Sequence, residues 1–369
     1  MLKRYFLAAL FFCLCCQPYG LIGQDSLLRH VKLLFLGDIM GHMPQVKAAY
    51  DSSNDTYDYA PCFQFIKEPV LKCDLSIGNL EVVFGGKPYT GYPTFSSPDD
   101  LVFELRDFGI DVLATANNHC YDKGKSGMYR TLKMIDSVQL LRMGTYYNAE
   151  DRASKCPLIV EKNGIKIALF NYTYGTNGFV PDPPSVVNYL DRDQIKADVK
   201  VAEEKRAEVK IAFVHWGNEY ELTPSDYQKK YARMLAQMGF DAVVGSHPHV
   251  VQTFEWVTVD SVNKMPVFYS TGNFISNQRD RYKDGGAVVT LNIEITSGKV
   301  DVKPMYIPYW VYKGTLSSRY QYYVIPIQYY QLHSDSLHLP PDAAARLKEH
   351  AEDLRIQLPN ILIDTTYFH

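Results

Sequence analysis

Five short stretches of this 369-residue chain place acids, amides and imidazoles where they could hold a cation. Asp38 lies in LGDIMGH, Glu81 in GNLE, Asn118 and His119 in ANNHCYD, His215 in FVHWGNEYE, and His247 with His249 in GSHPHV. A hard or borderline divalent metal prefers carboxylate oxygens and neutral imidazoles; the set offers two of the first and up to four of the second. Two histidines flanking Pro248 in an extended turn project their rings in a fixed relation, suited to clamping a cation. If two ions bind about 3.5–4 Å apart, they activate water and clamp the oxygens of a displacement reaction, the chemistry of a hydrolase.

Each element also has an ordinary structural explanation. An aspartate after a strand is usually a turn or cap residue. Asn117 and Asn118 could be turn formers, and His215 at the end of an apolar run could be a core histidine with a satisfied hydrogen bond. The joint pattern is harder to reach by accident than any member, because the residues fall just past five different strand candidates. In open α/β sheets, ligands bind outside the carboxyl ends of the strands, so these residues would converge on one rim.

The elements that must position them alternate along the chain, as in a layered α/β protein. Short apolar, β-branched runs at 31–37, 73–79, 111–117, 165–173, 209–216, 241–246 and 265–274 read as buried strands entering polar turns. Ser97-Pro98 followed by two aspartates predicts a helix start, with Leu101, Leu105 and Phe108 on one face and Gly109 as the stop. Thr223-Pro224 repeats the pattern, with Tyr227, Tyr231 and Leu235 inside and Gly239 ending the helix. Further helices are predicted over 191–207 and 126–138. Beyond residue 302 the texture changes to prolines and tyrosines (306, 309, 312, 320, 322, 323, 329 and 330) and a final helix over 342–356, so 31–301 reads as the main domain and 302–369 as a C-terminal extension. The tyrosines either pack onto the main domain, the favoured reading, or form a sugar- or peptide-binding surface.

With 46% hydrophobic and 21% charged residues the chain is globular rather than disordered. A net charge of −3 makes it a poor nucleic-acid binder, since phosphate neutralisation needs clustered Lys and Arg, and no nucleic-acid partner is expected. Lys3 and Arg4, an apolar run over 5–16, then Pro18, Gly20 and Gly23 follow the grammar of a signal peptide cleaved near Gly23, which predicts export to the periplasm or cell surface. The run is too short for a bilayer span of ~20 apolar residues. Cys62, Cys73, Cys120 and Cys156 remain after it with no Cys-x-x-Cys pair, which excludes a zinc ribbon. A Cys62–Cys73 disulfide and isolated buried thiols both stay open.

GDIMGH, GNLE, NNHCYDKG, HWGNEYE, SHPHVVQ and YSTGNF, in that order over about 31–280, resemble the CapA family of bacterial capsule and poly-γ-glutamate synthesis, whose domain is related to calcineurin-like metallophosphatases. The resemblance implies a four-layer α-β-β-α sandwich and one or more divalent ions (Mn, Fe, Zn or Mg). Their ligands would be Asp38, Glu81, Asn118, His215, His247 and His249, with His119 as catalytic proton donor. It implies substrate contacts at His42, Tyr174, Asn177, Glu219, Tyr220 and Asn273, with the Gly-rich loop 172–178 over the site. The implied role is that of a metal-dependent hydrolase or transferase; a non-catalytic polymer-binding or export subunit and a phosphoesterase on small exported substrates are the alternatives. Expected partners are an anionic polymer, peptide or capsule component and membrane-bound synthesis machinery. Where metallophosphatases usually carry a histidine two residues after the first aspartate this chain has Met40, with His42 as the substitute at hand, and Glu81 stands where Gly-Asp is usual.

Overall fold

The computed structural model describes residues 28–260 and 263–368; the segment read as a signal peptide lies outside them. Alternation of side chains along the first strand, Arg29–Ile39, sets up the architecture. Val31, Leu33 and Phe35 point to one face, Leu34 and Leu36 to the other, and all five are fully buried. A strand that is apolar on both faces must be covered on both.

The first sheet runs in the order Arg319–Pro326, Lys299–Leu316, Gly285–Thr296, Arg29–Ile39, Leu75–Leu80, Val112–Ala114, Leu141–Met143. The last four are mutually parallel. The second sheet runs Phe254–Thr258, Lys264–Phe268, Ala242–Ser246, Val209–His215, Ile165–Thr173, Leu158–Lys162, parallel from Lys264–Phe268 to Ile165–Thr173. Between the sheets, Leu33, Phe35 and Ile77 meet Ile167, Ile211 and Phe213; the Phe35 and Phe213 rings pack edge to face at 5.4 Å. Outside the first sheet, Leu101, Leu105 and Phe108 of the helix Asp100–Phe108 cover Leu34 and Leu36. Outside the second, Ile195 and Val199 of Arg192–Glu204 and Ala232 and Leu235 of Asp226–Gln237 cover Ala212, Val214 and Val243. The four layers are thus helix, sheet, sheet, helix.

Several expectations need correction. The helix at 100 begins two residues later than the Ser97-Pro98 signal, because Asp99 is drawn into a bidentate pair with Arg130 and Ser97 makes no cap bond. The helix at 226 is capped by Ser225 in a reciprocal box with Gln228, not by Thr223, and Tyr227 is exposed while Gln228 is buried. The run 265–274 is not one strand. Lys264–Phe268 belongs to the second sheet and Asn273–Ile275 pairs with Arg29–Ile39 in the first, the chain crossing between them through Gly272 at φ 73°. Nor does a separate extension begin at 302: that boundary cuts the strand Lys299–Leu316, which pairs with Gly285–Thr296 as far as Trp310 and with Arg319–Pro326 beyond. Tyr306, Tyr309, Tyr312, Tyr322 and Tyr323 are accordingly buried, the packing alternative. All four described cysteines are free, so there is no Cys62–Cys73 disulfide.

Candidate metal centre

Register places the polar residues before any side chain is considered. Asp38 lies level with Asn79 of one parallel neighbour and Asn273 of another. His215 lies level with Thr173 and Ser246 in the second sheet. Apart from Asn273, which opens the short strand Asn273–Ile275, these residues are at carboxyl ends of parallel strands, so both sheets discharge onto one rim. Close approach there demands glycine: a Cβ on Gly37 would lie 2.0 Å from the Gly272 carbonyl oxygen. His247 and His249 have φ of 101° and 59°, a backbone strain that persists only where surroundings impose it and that concentrates at functional sites.

The side chains then interlock. Asn79 Nδ2 donates to Asp38 Oδ1 at 2.8 Å. His249 Nδ1 faces two acceptors, Asp38 Oδ2 at 3.1 Å and Asn273 Oδ1 at 3.0 Å, while Asn273 Nδ2 donates to Gln278 Oε1 and the Lys283 carbonyl. The proton of His249 therefore belongs on Nδ1, leaving the Nε2 lone pair toward Glu81 Oε1 at 3.9 Å. His215 Nε2 lies 2.8 Å from Asn118 Oδ1 and 3.5 Å from Glu81 Oε1, its Nδ1 3.0 Å from Ser246 Oγ.

Two triads have their ligand atoms within 4.8 Å of one another: Glu81 with His247 and His249, and Asp38 with Glu81 and His215. Glu81 is common to both groups, so either group could hold a cation. The donor set also fits a cation by what it lacks. Glu81 Oε1 and His247 Nδ1 are buried without any hydrogen-bond partner, and a buried polar atom left unpaired costs ~1–3 kcal/mol. Burial and the charge of Asp38 push the Glu81 carboxyl well above its usual range; burial holds His215 and His247 well below theirs, so both imidazoles present as neutral ligands.

Around this cluster, His119 Nδ1 lies 2.8 Å from Asp122 Oδ2, so Asp122 fixes the ring. Asn177 Nδ2 approaches His119 at 3.5 Å, which brings the 172–178 loop over the rim, and the Tyr174 ring is 4.6 Å from that of His247. Tyr220 lies 6.0 Å from His249, and Glu219 beside it is exposed. His42 joins neither triad. It starts the helix Met43–Ala49, where its Nδ1 accepts from the Asn277 backbone N–H at 3.3 Å and burial holds its pKa at about 4. Met40 is buried in the apolar cluster and supplies no ligand. Sequence reasoning missed Asn79, Asp122, Ser246 and Gln278; only Asp122 carried a readable signal, its i+3 spacing from His119. A groove of about 810 Å³ between Arg192–Glu204 and Asp226–Gln237 is lined by none of these residues.

The chain is 28% identical over 293 residues to the PGA biosynthesis protein CapA of Bacillus subtilis (strain 168), covering 73% of this chain and 70% of that protein. It is 29% identical over 221 residues to the capsule biosynthesis protein CapA of Bacillus anthracis, 58% of this chain and about half (51%) of that one. Among solved structures it resembles the NAD nucleotidase of Haemophilus influenzae (TM-score 0.49, 11% identity, 91% of this chain and 57% of that) and a calcineurin-like phosphoesterase of Bacillus subtilis (TM-score 0.46, 14% identity, 88% and 98%). Residues 32–278 match the family described as bacterial capsule synthesis protein PGA_cap, and the chain belongs to that family.

Proposed function

We propose that this chain is a metal-dependent hydrolase or transferase acting outside the cytoplasm on a capsule or poly-γ-glutamate-type polymer, in company with membrane-bound synthesis machinery. The observation that carries the reading is the pair of buried, partnerless ligand atoms, Glu81 Oε1 and His247 Nδ1, at the centre of a set of two carboxylates and three imidazoles. Asp38, Glu81, His215, His247 and His249 would hold the ion or ions, with Asn118 beside His215; a bound divalent ion supplies Lewis acidity. His119, oriented by Asp122, would give a proton to a leaving group, with Asn177 near His119 and Tyr174 near His247. Export is supported by Lys3, Arg4 and the apolar run 5–16. Among the described residues no helix is long and apolar enough to cross a membrane.

Met40 favours a second reading, a subunit that binds polymer without turning it over, since an apolar side chain stands where a ligand is expected. The experiment that separates the two loads chelator-stripped protein with Mn, Fe, Zn or Mg and follows polymer length and a chromogenic phosphodiester by chromatography and absorbance. The enzyme reading expects metal-dependent turnover that His119→Ala abolishes while metal stays bound. Polymer binding that survives chelation, with no turnover under any metal, would establish the subunit instead.

A further inference from the structure

Between the strands Asn273–Ile275 and Gly285–Thr296 the chain has no helix or strand, yet this segment fixes the orientation of a metal-ligand candidate. Asn273 Nδ2 donates to Gln278 Oε1 and to the Lys283 carbonyl, each at 2.9 Å. Those two acceptors settle which way the amide faces, so Asn273 Oδ1 is turned to His249 Nδ1 at 3.0 Å. A ring nitrogen held in this way aims the other one, and such partners carry part of a site's metal affinity. The acceptors can do so only if the segment that carries them is itself fixed.

Its anchor lies on the helix Pro341–Gln357. The buried Asp284, next in the chain to Lys283, accepts from Arg346 Nη2 at 2.7 Å and Nε at 3.0 Å, and from Trp310 Nε1 at 2.7 Å. Asp353, also buried, accepts from Arg281 Nη2 at 2.7 Å and Nε at 3.1 Å. Two buried carboxylates thus meet two guanidinium forks. His350 faces Asp284 at 3.8 Å but stays neutral, since burial holds its pKa at about 4. A Cβ on Gly285 would lie 2.5 Å from His350 Nε2, so the helix is pressed against the backbone directly after Asp284. Buried ion pairs are weak sources of stability, because desolvation offsets their attraction, but a fork on a carboxylate fixes geometry. Arg281, Asp284, Arg346 and Asp353 all lie beyond residues 32–278, so the anchor is built from outside the matched domain.

We propose that Asp284 and Arg346 are positioning residues of the metal centre: their ion pair fixes the Lys283 carbonyl, which with Gln278 orients Asn273 and, through it, His249. This rests on the reading of His249 as a metal ligand. The test is a double-mutant cycle on the full chain, Arg346→Ala and Asn273→Ala singly and together, with calorimetric titration of Mn and Zn well below the melting temperature. Each single variant should bind metal about fivefold to tenfold more weakly, and Arg346→Ala should cost nothing further once Asn273 is alanine. Arg355→Ala, on the same helix and paired only with Glu352 at the surface, should bind like the parent. Arg346→Lys, which keeps the charge and loses the fork, carries the same comparison should the alanine variant not fold. In chelator-stripped protein, NMR should show the His249 Nδ1 proton exchanging with solvent at least fivefold faster in the Arg346 variant, while the buried Trp216 indole proton, bonded to the Tyr269 carbonyl, keeps its rate. Additive losses in the cycle, unchanged affinity, or an unchanged His249 proton would overturn the proposal. A parent that takes up no metal, with the His249 proton still released by the Arg346 variant alone, would sink the metalloenzyme reading and leave the positioning role standing.

Discussion

Replacing Glu81 by glutamine in metal-stripped protein should change the shape of its stability curve with pH. The Glu81 carboxyl is fully buried, and burial with the neighbouring Asp38 charge raises its folded pKa well above the ordinary 4.5. The folded chain therefore keeps a proton that the unfolded chain releases. Stability from this group is fully present below pH 4.5 and is lost as pH rises toward the raised folded value, at about 1.4 kcal/mol per pH unit. His215 and His247 act oppositely: with folded pKa values depressed below 6.5, their contribution is complete above 6.5 and is lost as pH falls through the range beneath it. His42 and His350, held at about 4 by burial, act with these imidazoles, while the loss from Glu81 begins above 4.5 and is joined by Glu104, whose pKa is pushed to about 7. Glu81→Gln removes the Glu81 part of the decline, so the variant should gain on the parent as pH rises above 4.5, by up to ~1.4 kcal/mol per pH unit, until Glu81 ionises. Urea unfolding followed by circular dichroism from pH 5.5 to 8.5, both proteins in chelator, measures the difference. Parallel curves would refute the reasoning, since they require Glu81 to be ionised in the folded, metal-free state.

Asp122→Asn leaves the His119 ring in place but removes the acceptor that fixes its proton; turnover should fall by about 10²–10⁴ with metal content unchanged, measured by kinetics and elemental analysis together. Ending the chain after residue 301 removes almost all of the strand Lys299–Leu316 and exposes the edge of Gly285–Thr296, so the shortened protein should be insoluble or lack a cooperative thermal transition by calorimetry. A reducing agent should leave the melting temperature unchanged, because the four cysteines of the described chain are thiols.

The strand-to-turn transitions were legible because buried parallel strands announce themselves as short apolar runs, and Ile165–Thr173 agrees with its prediction to the residue. The family was legible because six motifs kept their order. The 265–274 run failed for a physical reason: an apolar segment looks the same whether it stays in one sheet or crosses to another, and only Gly272 betrays the crossing. Tyrosine density after 302 did not distinguish a sheet strand from an appended module, since register with Gly285–Thr296 is a property of two segments together. The site residues converge as the strand ends required, but Asn79 and Ser246, ordinary polar residues at strand ends, act only through partners distant in sequence. His42 shows the converse, a histidine near the first aspartate that serves its own helix rather than either triad.

The most direct measurement is the metal content of purified protein beside a His247→Ala, His249→Ala double variant, by plasma mass spectrometry with calorimetric titration of added Mn and Zn. The parent should carry bound divalent metal, and the variant, its fold unchanged by circular dichroism, should bind it about a hundredfold more weakly. Equal and negligible metal in both proteins, with no heat of binding in either, would contradict it.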